Sequence, residues 1–285
     1  SVFHGVHLLP LGLEYANSSE YGLTSGLQSL NEDEHAIWRD RIDAGNLYIN
    51  RGITGALVRR QPFGGMKRSA FGGGIKAGGP NYVSCFVELT ENELPKVVVA
   101  DPLSELVNEE KDKNRINFAA VSFKEAWDDE FSQEKDVSQI YGEENMFRYL
   151  PLKSVGLRVE EKDSLTDVLL IILAAGTAKT PLVVSVSAED TRLQAIETAA
   201  GKLGGIQIKK QTTDSFISEM DSYERVRTCT ADLPDAFYVK AAELGKHIAN
   251  NKPLAEGRLE LLHYLKEQSI AYEYHRYGSI FGEEK

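Results

Sequence analysis

The chain has 285 residues, a hydrophobic share of 42% and a net charge of -11, which is typical of a globular protein with one large domain or two ordinary ones. The acidic balance argues against nucleic acid and anionic membranes as partners, because both select basic surfaces. No apolar run approaches the roughly 18 residues needed to cross a bilayer. Two cysteines exclude a disulfide framework and favour a reducing, cytoplasmic compartment.

Helix and strand patterns alternate in the first 90 residues. Asn31 and Glu34 have the spacing of a capping box, so a helix is predicted to begin there and to end before Gly45. A short apolar stretch after Gly45 predicts a buried strand. The predicted elements are a helix over 11–17, a strand over 23–30, a helix over 31–42, a buried strand over 46–50, and an edge or interface strand over 82–89.

A glycine-rich segment follows the buried strand, and nine of the chain's 24 glycines lie between Gly52 and Gly79. Glycine permits positive φ and a close approach of the backbone to a ligand. Interleaved aromatic residues distinguish this segment from a flexible linker, which is the alternative interpretation. Backbone N–H groups at Gly52, Gly55 and Ala56 can face an anion, and Phe63 can form an apolar wall. The segment therefore predicts a site for a small substrate with a carboxylate and an aliphatic stem.

Composition changes after residue 90. Acidic residues outnumber basic ones about two to one over residues 101–150, and residues 90–145 are predicted to be a solvated helical connector. From residue 151 onward, strands again alternate with helices, which implies a parallel sheet of Rossmann-like layout. No Gly-x-Gly-x-x-Gly turn is present, so no nucleotide site is predicted there. The predicted elements are strands over 155–160, 181–187, 206–209 and 225–229, and helices over 164–175, 188–203 and 214–220.

The last 30 residues combine leucines with aromatic and charged side chains. A helix is predicted over 256–268, because three leucines lie on or near one face. Residues 272–277 are predicted to dock on another surface. His263 is interpreted as a side chain whose hydrogen bonds are satisfied, and His275 as a docking contact. The six histidines show no metal-ligand spacing, so no metal site is predicted.

Neither cysteine is predicted to be a nucleophile. Cys85 lies in the predicted strand over 82–89, and Cys229 ends another predicted strand. Neither cysteine is interpreted as having the electropositive setting that lowers a thiol pKa, so both are interpreted as structural.

Several motifs occur in a specific order along the chain. The first 80 residues contain Tyr21-Gly-Leu-Thr-Ser-Gly-Leu27, Ala44-Gly-Asn-Leu-Tyr-Ile-Asn-Arg51, Thr54-Gly-Ala56, Gln61-Pro-Phe-Gly-Gly65 and Lys76-Ala-Gly-Gly-Pro80. Together they resemble the aldehyde dehydrogenase superfamily, specifically the Δ1-pyrroline-5-carboxylate (L-glutamate γ-semialdehyde) dehydrogenases. Four downstream motifs resemble the long enzymes of the proline utilization A type: Asn145-Met-Phe-Arg-Tyr-Leu-Pro151, Leu173-Ala-Ala-Gly-Thr177, Glu256-Gly-Arg-Leu-Glu-Leu-Leu-His-Tyr-Leu-Lys-Glu-Gln-Ser269 and Tyr274-His-Arg-Tyr-Gly278.

The resemblance implies a fold of the α/β class and a domain organisation. Residues 1–95 are expected to be the C-terminal segment of an aldehyde dehydrogenase catalytic domain, with a substrate anchor loop and an assembly strand. Residues 96–285 are expected to contain the acidic connector, a Rossmann-like non-catalytic domain and a docking tail. The parent enzyme is expected to be a cytoplasmic, homo-oligomeric, NAD-dependent oxidoreductase of proline catabolism that converts L-glutamate γ-semialdehyde into glutamate.

The resemblance also assigns site residues. The amides of Gly55 and Ala56 are expected to hold the substrate carboxylate, and Phe63 is expected to pack on its methylenes. Lys67-Arg-Ser-Ala-Phe71 departs from the small-residue pattern that is common at this stretch in the superfamily.

The family's nucleophilic cysteine, its water-activating glutamate and its NAD-binding domain are expected upstream of Ser1. Ser1-Val-Phe-His-Gly5 keeps only the phenylalanine of the family's Glu-x-Phe-Gly-Pro motif, so no cofactor contact is predicted there. The sequence is therefore expected to be a fragment that is inactive alone and binds no NAD.

Two alternatives belong to other functional classes. The chain can be a non-catalytic assembly or channel-covering module, whose acidic connector and aromatic tail are protein-contact surfaces. An independent nucleotide-binding enzyme would need a phosphate loop, and the sequence contains none.

Overall fold

A computed structural model describes residues 9–274, and its fold is of the α/β class that the sequence predicts. The helices are α1 (Leu9–Asn17), α2 (Glu32–Arg41), α3 (Glu110–Ala126), α4 (Leu165–Thr177), α5 (Leu193–Lys202), α6 (Thr213–Glu219), α7 (Asp235–Leu244) and α8 (Gly257–Glu260). The strands are β1 (Tyr21–Gly22), β2 (Thr24–Leu27), β3 (Asn46–Ile49), β4 (Met66–Lys67), β5 (Lys135–Asp136), β6 (Glu143–Pro151), β7 (Val155–Arg158), β8 (Leu182–Val186), β9 (Ile206–Lys210), β10 (Arg225–Arg227), β11 (Ile248–Ala249) and β12 (Leu265–Glu273). No helix among the described residues is long and apolar enough to span a membrane.

The chain forms two compact units from interleaved stretches of sequence. The first contains residues 9–88, 133–150 and 266–274, and the second contains residues 89–132 and 151–265. Strands β5 and β6 and most of β12 therefore lie in the first unit, although they follow residue 95 in the chain. The roles assigned to the parts before and after residue 95 stay predictions.

The first unit is built on a five-stranded sheet in the order β2-β3-β12-β6-β5. Strand β3 pairs in parallel with both β2 and β12, and β5 pairs antiparallel with β6. Leu47 and Ile49 of β3 pack against Trp38 of α2 in an apolar core. Because side chains alternate along a strand, Asn46 and Tyr48 lie on the opposite face, where both are also buried. The sheet thus has one apolar face and one face with buried polar groups.

The second unit is built on five parallel strands in the order β11-β10-β7-β8-β9. The first of these strands in the chain lies at the centre, which is the order of a Rossmann-like sheet and confirms the predicted layout. Helix α4 begins after Ser164, whose hydroxyl accepts a hydrogen bond from the amide of Asp167 at 3.0 Å, as the predicted cap requires.

Helix α3 was predicted to be part of a solvated connector. It instead has one buried face, because Ile116, Ala119 and Phe123 are fully buried at spacings of about one and two helical turns. The exposed face retains the acidic residues. The helix therefore contributes to the core of the second unit.

The predicted helix over 256–268 is wrong beyond its first turns. Helix α8 ends at Glu260, a 3-10 turn covers Leu261–Tyr264, and β12 follows. The Arg225 guanidinium donates to the carbonyls of Leu262 and His263 at 3.0 and 2.9 Å, and these carbonyls would otherwise accept bonds in a longer helix. Residues Ser269–Tyr272 of β12 then pair with β3, which is too distant in sequence for local periodicity to show.

The predicted strand over 82–89 is also wrong. Tyr82–Phe86 forms a 3-10 turn, and Val83 and Phe86 are 73% and 72% exposed. The carbonyl of Asn81 accepts hydrogen bonds from the amide and the hydroxyl of Ser84, at 3.0 and 2.7 Å, and these bonds curl the chain. The alternating apolar pattern therefore does not form a strand here, because no strand that the structure describes pairs with this segment.

The predicted docking tail is described only in part. Tyr272 lies in β12, and its ring contacts the His35 ring edge to face at 5.2 Å. His275, the rest of the tail and the motif at Ser1–Gly5 lie outside the described residues.

A buried ion pair generates the first testable prediction. Arg227 and Glu260 are both fully buried, with 3.0 Å between Nη2 and Oε1. We expect Glu260→Gln to lower the free energy of unfolding by about 3 kcal/mol, because it leaves a buried charge uncompensated. Urea denaturation measures this change. As a control, Glu243→Gln at the exposed Lys240–Glu243 pair should cost less than about 1 kcal/mol; equal losses would contradict the interpretation.

Candidate anchor site

The glycine-rich segment between β3 and β4 contains all three predicted site residues. Gly55 has a φ of +79°, and a Cβ built there would meet nothing within 4 Å. In the described part of the chain, no acceptor is hydrogen-bonded to the backbone N–H of Gly55 or Ala56. Phe63 is 39% exposed. Two backbone donors and one aromatic face are therefore open, and their role in binding stays a prediction.

The turn between the two groups of site residues is closed by Gln61, which is buried. The side-chain Oε1 of Gln61 accepts a hydrogen bond from the backbone N–H of Leu57 at 2.8 Å, and the backbone N–H of Gln61 donates to the carbonyl of Leu57 at 3.0 Å. Its Nε2 donates to Asn145 Oδ1 of β6. Arg60 adds an ion pair to Glu143 of the same strand at 2.8 Å. The turn is therefore fixed to the sheet although its outer residues are exposed.

The backbone around Phe63 is held on both sides. Phe63 and Ala77 exchange two backbone hydrogen bonds, at 3.0 and 2.9 Å. The carbonyl of Pro62 accepts from Asn46 Nδ2 at 3.0 Å and from Ser269 Oγ at 2.6 Å. The amide of Gly64 donates to Asn46 Oδ1 at 3.1 Å. The exposed ring is thus attached to a fixed backbone.

Lys76 lies beneath this segment and is fully buried. Its Nζ donates to Asn46 Oδ1 at 3.2 Å and to the carbonyl of Gly64. Its backbone amide donates to Glu267 Oε2 of β12 at 2.7 Å. Burial lowers the pKa of Lys76 to about 7, and the charge of Glu267 opposes this shift.

The next turn is fixed to the same face of the sheet. Glu267 Oε1 accepts from Asn81 Nδ2 at 2.6 Å, and Asn81 Nδ2 also donates to the Tyr149 hydroxyl at 2.9 Å. Alternation places Glu267 and Ser269 on one face of β12, and Asn145 and Tyr149 on one face of β6. The buried polar face is therefore continuous across strands β3, β12 and β6. We call its residues the polar sheet face: Asn46, Asn145, Tyr149, Glu267 and Ser269.

Gly45 permits the close approach of this loop to the sheet. A Cβ at Gly45 would lie 2.0 Å from the Gly64 carbonyl oxygen and 2.8 Å from Lys76 Nζ. Any other residue would push the loop away from Asn46. Open glycines such as Gly55 and packed glycines such as Gly45 therefore serve different purposes in one motif.

The sequence analysis predicted Gly55, Ala56 and Phe63 as site residues, and that role stays a prediction. It missed the residues that hold this segment in place. Lys76 stands in a motif that was used only for its resemblance, and Glu267 was assigned to a helix. The available signal for Lys76 was a charged residue next to glycines and a proline. Lys266, Glu267, Gln268 and Ser269 are four consecutive polar residues, so the sequence there does not alternate and gave no sign of a strand.

Neither cysteine has the setting of a nucleophile. Cys85 is exposed in the 3-10 turn instead of lying in a strand, and partial desolvation and the charge of Glu267 raise its pKa. Cys229 is buried, and burial raises its pKa strongly. Within residues 9–274, no three His, Cys, Asp or Glu side chains are grouped as metal ligands.

The turn between β7 and α4 in the second unit is held by Arg192. The Arg192 guanidinium donates to the backbone carbonyls of Glu160, at 2.9 Å, and of Asp163, both in this turn. It is also paired with Asp190 at 2.5 Å. The absence of a nucleotide site in this sheet stays a prediction.

A comparison with protein families finds one match in the first third of the chain. Residues 11–91, which contain β3 and the glycine-rich segment, match the model of the aldehyde dehydrogenase family. Over these residues the chain is therefore similar to that family.

Individual relatives make the resemblance more specific. The 1-pyrroline-5-carboxylate dehydrogenases of Bacillus mycoides (strain KBAB4) and Bacillus thuringiensis (strain Al Hakam) are each 47% identical to the chain over 76 residues, which is 27% of this chain and 14% of the relative. The structure of proline utilization A (PutA) from Corynebacterium freiburgense is 35% identical, with a TM-score of 0.72, over 94% of this chain and 24% of that chain. The chain thus spans a small part of each relative's length, and the predicted resemblance is confirmed.

The buried lysine generates a prediction about pH. The pKa of Lys76 is lowered in the folded state, so between about pH 7 and 10.5 the unfolded state binds more protons and stability rises with pH. We expect the free energy of unfolding of the unmodified protein, relative to Lys76→Met, to increase by about 1 kcal/mol per pH unit from pH 7 to 9.

Urea denaturation at pH 7, 8 and 9 measures this difference. Lys67→Met is the matched control, because Lys67 also donates to backbone carbonyls, those of Asn17 and Ser19. A pH-independent difference between the unmodified protein and Lys76→Met would show that the buried amine does not titrate in this range.

Proposed function

We propose that this chain supplies the substrate-anchoring part of an NAD-dependent L-glutamate γ-semialdehyde (1-pyrroline-5-carboxylate) dehydrogenase of proline catabolism. The observation that carries the proposal is the pairing, on one rigidly held segment, of open amides at Gly55 and Ala56 with the exposed ring of Phe63. The sequence similarity to 1-pyrroline-5-carboxylate dehydrogenases supports it, because the family match covers this segment.

The proposed binding mode uses each group for one part of the substrate. The carboxylate accepts hydrogen bonds from the N–H groups of Gly55 and Ala56, which are charge-assisted bonds and stronger than neutral ones. The methylenes between the carboxylate and the aldehyde lie on Phe63. The arginines at the two ends of the loop, Arg51 and Arg60, are paired with Glu273 and Glu143. Fixed backbone donors lose little freedom on binding, which favours affinity and orientation.

The reacting groups are assigned to protein outside these 285 residues. The family resemblance implies a cysteine nucleophile, a glutamate that activates water, and NAD, which accepts the electrons of the aldehyde when bound. Cys85 and Cys229 have raised pKa values, which do not suit a nucleophile. We therefore expect the isolated chain to bind the substrate's carboxylate end and to oxidise no aldehyde.

The remaining parts of the chain are proposed to be non-catalytic. The Rossmann-like unit is an accessory domain of a cytoplasmic homo-oligomer. The exposed apolar side chains of the 82–89 segment, Val83 and Phe86 among them, support a role of this segment in assembly. The alternative, a module that only assembles or covers a channel, is favoured by the same exposed residues but does not require open amides at Gly55 and Ala56.

Replacement of Gly55 tests the anchor directly. In the complete gene product, we expect Gly55→Val to raise KM for L-glutamate γ-semialdehyde at least about tenfold, because a branched side chain crowds the carboxylate and strains a backbone with positive φ. KM for pentanal, which lacks the carboxylate, should change much less. Steady-state kinetics with both aldehydes measure the difference.

Gly72→Val is the matched control for backbone strain. Gly72 also has a positive φ, +53°, and a Cβ there would meet nothing within 4 Å. The Gly72→Val variant should have KM values for both aldehydes near those of the unmodified enzyme. An unchanged KM for the semialdehyde in Gly55→Val would overturn the anchor assignment, and a gene product without aldehyde oxidation would overturn the proposed activity.

A further inference from the structure

We infer that Lys76 is a positioning residue that sets the place of the Phe63 ring, and thereby the apolar wall of the anchor site. That the ring contacts the substrate rests on the proposed function. That Lys76 holds the ring rests on the contacts around Gly64 alone.

The need for a positioning residue follows from the local sequence. Phe63 is 39% exposed, so the core holds its ring only in part. Its neighbours are Pro62, which has no amide to donate, and Gly64, whose backbone is the most permissive of all residues. Without outside partners, Phe63 would sample many positions, and binding would have to remove that freedom.

Lys76 and Asn46 supply the outside partners together. Lys76 Nζ donates to the Gly64 carbonyl, and Asn46 Oδ1 accepts from the Gly64 amide at 3.1 Å. The two side chains are joined by the 3.2 Å bond between Nζ and Oδ1. Both polar groups of Gly64 are thus held by a connected pair, one residue from Phe63.

The cost of burying the lysine supports a role other than stability. An ammonium group loses much solvation when it is fully buried, and a methionine fills a similar volume without that loss. Glu267 offsets part of the loss, because its negative charge favours the charged form of Lys76 and opposes the fall of its pKa. A lysine in this place therefore reduces or barely changes stability but provides a donor at a fixed point.

A double-mutant cycle in the complete gene product tests the inference. We expect Phe63→Ala and Lys76→Met each to raise KM about tenfold, for the semialdehyde and for pentanal alike, because the wall contacts the methylenes that both aldehydes have. If Lys76 acts through Phe63, the double variant should be within about twofold of Phe63→Ala. Effects that multiply to about a hundredfold would overturn the inference, as would an unchanged KM in Lys76→Met.

Lys67→Met is the control for loss of a lysine that donates to backbone carbonyls. Lys67 Nζ donates to the carbonyls of Asn17 and Ser19, at 2.8 and 2.9 Å. It should leave both KM values unchanged. This result would separate positioning at Gly64 from general loosening of the glycine-rich segment.

Amide hydrogen exchange tests the same inference without activity. Phe63 and Ala77 protect each other's amides through their paired hydrogen bonds. In the complete gene product, Lys76→Met should speed exchange at both amides at least about tenfold, and Lys67→Met should not. Unchanged exchange in Lys76→Met would overturn the role of Lys76, even if the enzyme proves inactive on aldehydes and the proposed function fails.

Discussion

The anchor loop depends on a sheet face whose buried side chains are polar. A segment with so many glycines has few side chains to bury, yet its backbone N–H and C=O groups need partners wherever water is excluded. Asn46 and Ser269 bind the carbonyl of Pro62, and Glu267 binds the amide of Lys76. The opposite face of the sheet packs apolar side chains against α1 and α2. One face therefore stabilises the fold, and the other shapes the site.

This arrangement joins distant parts of the chain. Lys76 and Glu267 are 191 residues apart in sequence, and the site is complete only when β12 has paired with β3. Such long-range pairing carries an entropic cost of loop closure. Hydrogen bonds hold Gln61 and Gly64 to the rest of the unit, whereas the backbone N–H groups of Gly55 and Ala56 stay exposed.

Local signals predicted much of the fold. Helix α2 ends at Arg41 with Ile42 as its cap, so Gly45 does not end it. The Asn31 cap and the Ser164 cap act through neighbouring backbone groups, so they were visible in the sequence. The structure of residues 256–268 could not be seen in the sequence. The leucines there fit a helix, but the actual structure depends on Arg225 and on pairing with β3. In the site, glycines and Phe63 could be identified by residue type. Lys76 could not, since its burial depends on strands from three parts of the chain.

We have proposed that fixed backbone amides of this segment hold a substrate carboxylate. The decisive measurement is a crystal structure of the complete gene product with L-glutamate, the expected reaction product. We expect the α-carboxylate to lie within hydrogen-bonding distance, about 3 Å, of the nitrogens of Gly55 and Ala56, with the methylenes on Phe63. A carboxylate bound elsewhere, with these amides facing only water, would contradict it.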